Sequence, residues 1–212
     1  MEHIRINFIY LAAGYAKRFG DNKLLVDFHG KPLFMHGLKM AEKLKKELYR
    51  EEIEVKILAV TANEKVENYC RTHDILYVQN CGPENDGIAS SIRKAIQFLK
   101  QDEDDTDVGK GNIYDMFLQA DQPYMSSDIL QLFIKAFLAQ SKPIGAMEFA
   151  QSLHSPNIFA VRYRTDLEQL QGDTGGKRVI NHNLDQVFCY PVTQGRYFID
   201  IDTMEDYKNE NV

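Results

Sequence analysis

A chain of 212 residues with a formal net charge of −6 lacks the basic excess that general nucleic-acid binding requires. Hydrophobic residues make up 44% of the sequence, which suffices for the core of one large domain. The apolar run near the N-terminus is too short to span a membrane, and the three cysteines show neither a CxxC pair nor metal-ligand spacing. We therefore expect a cytoplasmic protein with reduced thiols, without a nucleic-acid or membrane partner.

Strands and helices are predicted to alternate through the first two thirds of the chain. Short apolar runs typical of buried strands occupy residues 4–12, 53–60, 75–78 and 113–120. Amphipathic stretches predict helices over residues 32–49, 63–71, 87–100 and 128–139, the last of them capped by Ser126 or Ser127. This alternation predicts a single-domain α/β fold with a mostly parallel twisted sheet and helices on both faces.

The pattern becomes less regular after residue 143. Short strands are predicted over residues 144–149, 158–161, 187–191 and 198–201, and helical segments over 163–170 and 204–208. A glycine-rich loop spans residues 172–178. We expect this part of the chain to add edge strands and to cover one end of the sheet.

Three unusual polar segments each follow a predicted strand, at residues 14–23, 80–91 and 121–123. Ligands of open α/β sheets bind outside the carboxyl ends of the strands, near the point where the strand order reverses. We therefore expect the three segments to form one site.

The first of these segments combines Gly14 and Gly20 with the cations Arg18 and Lys23. It lacks both the GK[ST] ending of a Walker A motif and the GxGxxG spacing, which argues against P-loop NTPases and nicotinamide oxidoreductases. Cations and free backbone N–H groups after a buried strand are typical of sites that hold nucleotide phosphates. The alternative interpretation is a tight turn with surface cations.

Residues 11–25 follow the pattern LAAG-x-x-x-R-x-G-x-x-K-L-L, which resembles the signature of the MobA-like nucleotidyltransferases and, among them, most closely the molybdenum cofactor cytidylyltransferases. Further segments resemble theirs in the same order, at residues 80–91, 120–123, 154–156, 172–175 and 200–207. The resemblance covers nearly the whole chain, 1–212, and implies a Rossmann-like nucleotidyltransferase fold. It implies a nucleotide-binding half at 1–142 and an acceptor-side, edge-strand half at 143–212.

The resemblance implies Mg²⁺-dependent transfer of CMP from CTP to the phosphate of molybdopterin or molybdenum cofactor, with release of pyrophosphate. A phosphate acceptor is already mostly ionised at neutral pH, so the reaction needs no general base. One alternative is transfer to another small phosphate acceptor. A second is a non-catalytic accessory protein that binds a nucleotide or pterin and serves the maturation of a molybdenum hydroxylase, which would then be a partner.

The resemblance also implies roles for individual residues. Arg18 and Lys23 would stabilise charge during catalysis. Nucleotide binding would involve Leu11, Ala12, Ala13, Gly14, Gly20, Asn80, Gly87, Ser90 and Ser91. Metal binding would involve Asp121, with Asp202 favoured over Asp200. The acceptor would contact His154, Pro156, Asp173, Gly175 and Lys177, and either Lys177 or Arg178 would supply the cation.

Several of these roles fit the chemistry of the side chains. Asp200 and Asp202 alternate on a predicted strand, so their carboxylates are expected to point the same way. The methyl group of Ala13 narrows the space beside the base, which favours a pyrimidine over a purine. Related sequences usually carry Ser and Met where this chain has Ala16 and Phe19.

Overall fold

The computed structural model describes residues 3–14, 19, 22–82, 85, 87–102 and 112–211. Within these ranges the strands are β1 (Ile4–Ala12), β2 (Asp27–Phe28), β3 (Lys31–Pro32), β4 (Ile53–Thr61), β5 (Leu76–Gln79), β6 (Asn112–Gln119), β7 (Ile144–Phe149), β8 (Ser152–Ala160) and β9 (Val187–Pro191). The helices are α1 (Leu33–Tyr49), α2 (Glu64–Thr72), α3 (Ile88–Asp102), α4 (Ser127–Leu138), α5 (Arg164–Glu168), α6 (Lys177–His182) and α7 (Met204–Glu210).

A sheet in the order β5-β4-β1-β6-β8-β7-β9 forms the centre of the molecule. Its strands run in one direction except β8, which is antiparallel to both neighbours. The chain moves outward from β1 to β4 and β5, and then returns through α3 to β6 on the other side of β1. The strand order therefore reverses between β1 and β6, where a ligand cleft is expected in such folds.

Each face of the sheet carries its own apolar core, and β1 contributes to both. Ile6, Phe8 and Tyr10 pack on one face with α1, α2 and α4. Ile9 and Leu11 pack on the other face with α3, α5 and α6. This alternation follows from the two-residue repeat of a strand, and it confirms the predicted single-domain, mostly parallel α/β fold with helices on both faces.

Close packing fixes α1 against β1. The hydroxyl of Tyr10 donates a hydrogen bond of 2.6 Å to the carbonyl of Phe34. Gly37 faces the same ring, and a Cβ atom there would lie 2.5 Å from Tyr10 Cε2. The absence of a side chain at position 37 thus lets the helix approach the strand that leads into the cleft.

A buried ion pair joins the two halves of the chain. Arg164, at the start of α5, donates from Nε to Asp115 Oδ2 at 2.6 Å and from Nη2 to Oδ1 at 2.9 Å. Asn7 on β1 donates to the same carboxylate at 2.8 Å. Asp115 is fully buried and Arg164 nearly so.

Most predicted helix and strand positions are confirmed, including the cap of α4 by Ser126. Asn63 caps α2. The short hairpin formed by β2 and β3 was not predicted. Its strands have two residues each, too few to produce a recognisable pattern, and the second strand ends at Pro32, so α1 begins at Leu33 rather than at the proline.

Two predictions about strands in the second half of the chain were wrong. β8 begins at Ser152, not at 158, because Ser155 and Pro156 lie in an irregularity opposite Ala146 and Met147 that accommodates a proline within the sheet. Residues 198–201 are not a strand. A 3₁₀ helix covers Gly195–Phe198, and the chain continues without a sheet partner into α7.

Two helical boundaries also differ from the predicted ones. The segment predicted as a helix over 163–170 forms a shorter helix, α5, preceded by a 3₁₀ turn over Val161–Tyr163. Lys177, expected in a loop, begins α6. In the described part of the chain, no helix combines the length and apolar character needed to cross a membrane.

Candidate active site

A cavity of about 540 Å³ opens at the carboxyl ends of β1 and β6, where the strand order reverses. All three polar segments that follow predicted strands reach it. The predicted residues that line it are Leu11, Ala13, Gly14, Lys23, Gly87, Ser91, Asp121, Asp173, Asp200 and Asp202. The strand-end rule therefore located the cleft correctly, although the segments are far apart in sequence.

Lys23 lies at the centre of the charged end of this cavity. Its Nζ contacts Asp121 Oδ2 at 2.7 Å and Asp202 Oδ1 at 2.7 Å. Burial alone would lower the pKa of Lys23, but the charges of Asp121 and Asp202 and their hydrogen bonds outweigh it and raise the pKa above its ordinary value. The lysine is thus held in its charged form.

Hydrogen bonds of the main chain hold Asp121 and Asp202 in place independently of the lysine. The N–H of Ile201 donates to the carbonyl of Asp121 at 3.0 Å, which joins the end of β6 to the segment before α7. Asp206 forms a capping box with Thr203 at the start of α7 and also accepts from the N–H of Asp202 at 3.1 Å. Asp206 was not among the predicted site residues.

Asp200 occupies the same wall but does not contact Lys23. It accepts a hydrogen bond of 2.9 Å from the amide of Gln122. Although its side chain remains open to solvent, desolvation by the cavity wall, followed by the charge of Asp121, raises the pKa of Asp200 to about 6. Its carboxylate therefore accepts a proton more readily than an ordinary aspartate does.

The opposite end of the cavity is formed by Ala13 and by the start of α3. Asn85 joins these elements, since its amide nitrogen donates to the carbonyl of Ala13 at 2.7 Å and to that of Asn80 at 3.0 Å. Ser91 lines the cavity, whereas Asn80 and Ser90 are buried behind it. Asn80 donates to both serine hydroxyls, so it supports this wall from behind.

Gly87 allows the 172–173 loop to approach the start of α3. A Cβ at this position would lie 2.6 Å from the carbonyl oxygen of Gly172, and its φ of +124° disfavours any side chain. The N–H of Ala89 donates to the same carbonyl at 3.2 Å. The contact brings Asp173 to the cavity.

We expect Gly87→Ala to destabilise the protein by about 1–3 kcal/mol, because the new methyl group meets backbone and the φ is strained. Urea denaturation followed by circular dichroism measures this change. Gly14→Ala is the matched control, since no described atom lies within 4 Å of the position of its Cβ. Equal stability of the two variants would contradict this account of Gly87.

A second cavity of about 170 Å³ lies beside the first, and Leu11, Ile88 and Gln119 line both. His154, Gly175 and Lys177 line this second cavity, together with apolar side chains. The ring of His154 stacks on Phe198 at 4.5 Å. Desolvation and then the charge of Lys177 lower the pKa of His154, which favours the neutral imidazole at pH 7.

Several predicted site residues lie elsewhere. Ala12 packs into the core on the opposite face of the sheet, and Pro156 is buried in β8 without lining either cavity. Arg178 is exposed and also lines neither cavity. Arg18, Gly20 and Ala16 lie outside the described residues.

Sequence reasoning also missed residues that shape the site. Asn85 and Gln119 line the main cavity, and Gln122 bonds Asp200. Gln119 could have been found, because it ends β6 two residues after Phe117 and so shares its face. Phe19 is buried and contacts the ring of Tyr207 on α7 edge-on at 6.1 Å, which ties the first loop to the last helix.

The charged end of the cavity carries carboxylate oxygens, which hard divalent cations prefer as ligands. Mg²⁺ is commonly held by one or two carboxylates, with water and substrate phosphate completing its shell. Asp121 and Asp202 converge on one point and so provide such a pair. Within the described ranges, no set of three or more His, Cys, Asp or Glu side chains has the spacing of a metal site.

Several solved structures share this fold at low sequence identity. Rv0371c from Mycobacterium tuberculosis superposes with a TM-score of 0.75 at 19% identity, over 98% of this chain and 97% of that one. A complex of the same protein with manganese gives a TM-score of 0.71 at 19% identity, over 97% of each chain. A nucleotidyl transferase from Methanothermobacter thermautotrophicus gives 0.73 at 15% identity, over 97% and 95%.

A further similar structure is CMP:2-keto-3-deoxy-manno-octonic acid synthetase in complex with CTP. It has a TM-score of 0.69 at 12% identity, over 97% of this chain and 96% of that one. No curated protein matches the sequence. At these identities the likeness establishes the fold.

The mostly parallel sheet and its strand-end cleft have the α/β fold of these similar structures. The family model of the MobA-like NTP transferase domain matches residues 8–187. The chain therefore belongs to this family and is a nucleotidyltransferase, as its motifs predicted.

Proposed function

We propose that this enzyme transfers CMP from CTP to the phosphate of molybdopterin or of its molybdenum form, with release of pyrophosphate. The observation that carries the proposal is the convergence of Ala13, Ser91, Lys23 and two carboxylates on one cavity of about 540 Å³. One end offers the Ser91 hydroxyl and backbone groups for a base, and the other offers charge for phosphates.

The reaction depends mainly on the positioning of the two substrates and on the stabilisation of negative charge. An oxygen of the acceptor phosphate attacks the α-phosphorus of CTP, a new P–O bond forms, and the bond to the bridging oxygen breaks to release pyrophosphate. Lys23 stabilises the negative charge that develops on the α-phosphate and the leaving group. The acceptor is already ionised at neutral pH, which agrees with the absence of a required base.

A divalent metal, Mg²⁺ or Mn²⁺, would be held by Asp121 and Asp202, whose oxygens already converge. When bound, it neutralises phosphate charge and orients the triphosphate. The manganese complex of the similar mycobacterial protein supports a divalent cation in this fold.

The acceptor would occupy the second cavity and the shared wall between the two. Lys177 supplies a cation there, and Arg178, which lines neither cavity, is the less suitable of the two. The ring of His154 stacks on Phe198 beside the second cavity, and its neutral imidazole can form hydrogen bonds with the acceptor. A pterin combines a flat ring with polar edges, which suits a surface that carries apolar side chains together with a cation and a hydrogen-bonding ring.

Base choice is proposed to depend on Ala13, a residue that lines the cavity and is 2% exposed. We expect Ala13→Gly to lower the ratio of kcat/KM for CTP over GTP by about tenfold, since one methyl group is worth about 1–3 kcal/mol of discrimination. Ala12→Gly is the control, because the methyl group of Ala12 packs into the opposite core and its loss leaves the ratio unchanged. An unchanged ratio in Ala13→Gly would remove Ala13 from base selection.

The proposal is tested by a pyrophosphate-release assay with each of the four NTPs, Mg²⁺ or Mn²⁺, and molybdopterin. Release with CTP and a new CMP–pterin product is the expected result. A parallel panel with a sugar phosphate, phosphocholine and an isoprenoid-precursor phosphate tests the acceptor. Pyrophosphate release with only one of these compounds would identify that compound, and not the pterin, as the acceptor. No release from any NTP would contradict the proposed transfer.

A further inference from the structure

The position of Lys23 is unusual for a residue that is expected to contact nucleotide phosphates. Its ammonium group lies between Asp121 and Asp202, at 2.7 Å from an oxygen of each, and its side chain is 10% exposed. These carboxylates are the pair assigned above to the divalent metal. The lysine thus occupies the place between the metal ligands.

We propose that Lys23 is an exchangeable internal cation, which stands in for the divalent metal until metal and nucleotide bind together. The inference rests on the proposed function, because it uses the metal ligands named there. An ammonium group and a metal ion that contact the same oxygens repel each other, and partial enclosure strengthens this repulsion. The metal therefore binds only when Lys23 moves away.

The need for an internal cation follows from how the carboxylates are held. The backbone bond from Ile201 to Asp121, and the contact of Asp206 with the N–H of Asp202, keep both acids at the cleft whether or not Lys23 is present. Two such charges, with Asp200 nearby, repel each other unless a cation separates them. Lys23 is buried enough to fill this role without a bound ion.

The nucleotide provides the alternative partner for Lys23. A triphosphate brings several negative charges into the cleft, so the released ammonium group exchanges carboxylate contacts for phosphate contacts. The metal in turn compensates the carboxylates. Metal and nucleotide therefore strengthen each other's binding, and by linkage the effect is the same in both directions. Free metal binds weakly by comparison.

The test is a Mn²⁺ titration followed by electron paramagnetic resonance, without nucleotide. We expect Lys23→Met to bind free Mn²⁺ at least about tenfold more tightly than the wild type, because no ammonium competes for the two carboxylates. Lys43→Met is the matched control. Lys43 also contacts two carboxylates, Glu47 at 3.5 Å and Asp128 at 3.4 Å, but on the surface. Its loss should leave Mn²⁺ affinity unchanged.

A second measurement, of the melting temperature, tests the proposal even if Lys23→Met folds poorly because Asp121 and Asp202 lack a counter-ion. Mn²⁺ should raise the melting temperature of this variant more than that of the wild type, because a ligand that binds the native state stabilises it. Unchanged or weaker Mn²⁺ affinity in Lys23→Met overturns the proposal, as does a variant that Mn²⁺ fails to stabilise. Neither measurement uses CTP or a pterin. A failure of the exchangeable-cation proposal is therefore distinguishable from a failure of the proposed transfer.

Discussion

Asp121→Asn should lower kcat for pyrophosphate release by about 10²–10³-fold, the loss that follows removal of one group that stabilises charge in a transition state. The substitution keeps the size of the side chain and the backbone carbonyl that accepts from Ile201. It removes the charge next to Lys23 and half of the proposed metal-binding pair. Steady-state kinetics with CTP and the acceptor measure the effect.

The matched control for this substitution is Asp128→Asn, a few residues later at the start of α4. Asp128 is exposed and pairs with Lys43 at the surface, away from the cleft. We expect its variant to retain the rate of the wild type. A wild-type rate in Asp121→Asn, in protein with unchanged circular dichroism, would mean that the charged end of the cavity is not where catalysis occurs.

Arg164→Met should destabilise the protein by about 3–5 kcal/mol, because it leaves the carboxylate of Asp115 charged and buried without its guanidinium partner. Asp115 is 0% exposed and accepts two bonds from Arg164, so little water can replace the lost contacts. The change in the free energy of unfolding is measured by urea denaturation.

A surface ion pair between α3 and the helix that carries Arg164 serves as the control for the buried pair. Lys100 on α3 pairs with Glu168 on α5 at 2.6 Å, but both side chains are partly exposed. Lys100→Met should therefore cost less than about 1 kcal/mol. The double variant Arg164→Met, Asp115→Asn should recover part of the loss, because the buried charge is gone. A loss in Arg164→Met no larger than that in Lys100→Met would contradict this account of the pair.

The success of the sequence in predicting the main sheet has a local cause. β1, β4 and β6 each contain a run of mostly apolar residues, as strands buried on both faces require. Amphipathic repeats in α1, α3 and α4 likewise indicate helices, because the pattern does not depend on which elements pack against them. The strand-end rule then predicted the cleft, since parallel neighbouring strands end at the same edge.

The pairing of Asp121 with Asp202 shows where local reasoning failed. Asp200 and Asp202 were expected to point the same way because they alternate on a predicted strand, and that strand is not formed. Asp202 reaches Lys23 because α7 begins just after it and Ile201 bonds to the end of β6. The proximity of Asp202 to Asp121 was expected, but the geometric reason given for it was wrong.

The sequence by itself determined the α/β class, the family, the edge of the sheet that carries the site and most of the residues that line the cavity. These features follow from apolar periodicity and from short motifs, which are local in the chain. The tertiary structure alone decided that Lys23 lies between Asp121 and Asp202, that Asn80 and Ser90 support a wall, and that Asn85 joins β1 to α3. Such contacts join residues as many as 179 positions apart, and only packing of the whole sheet brings them together.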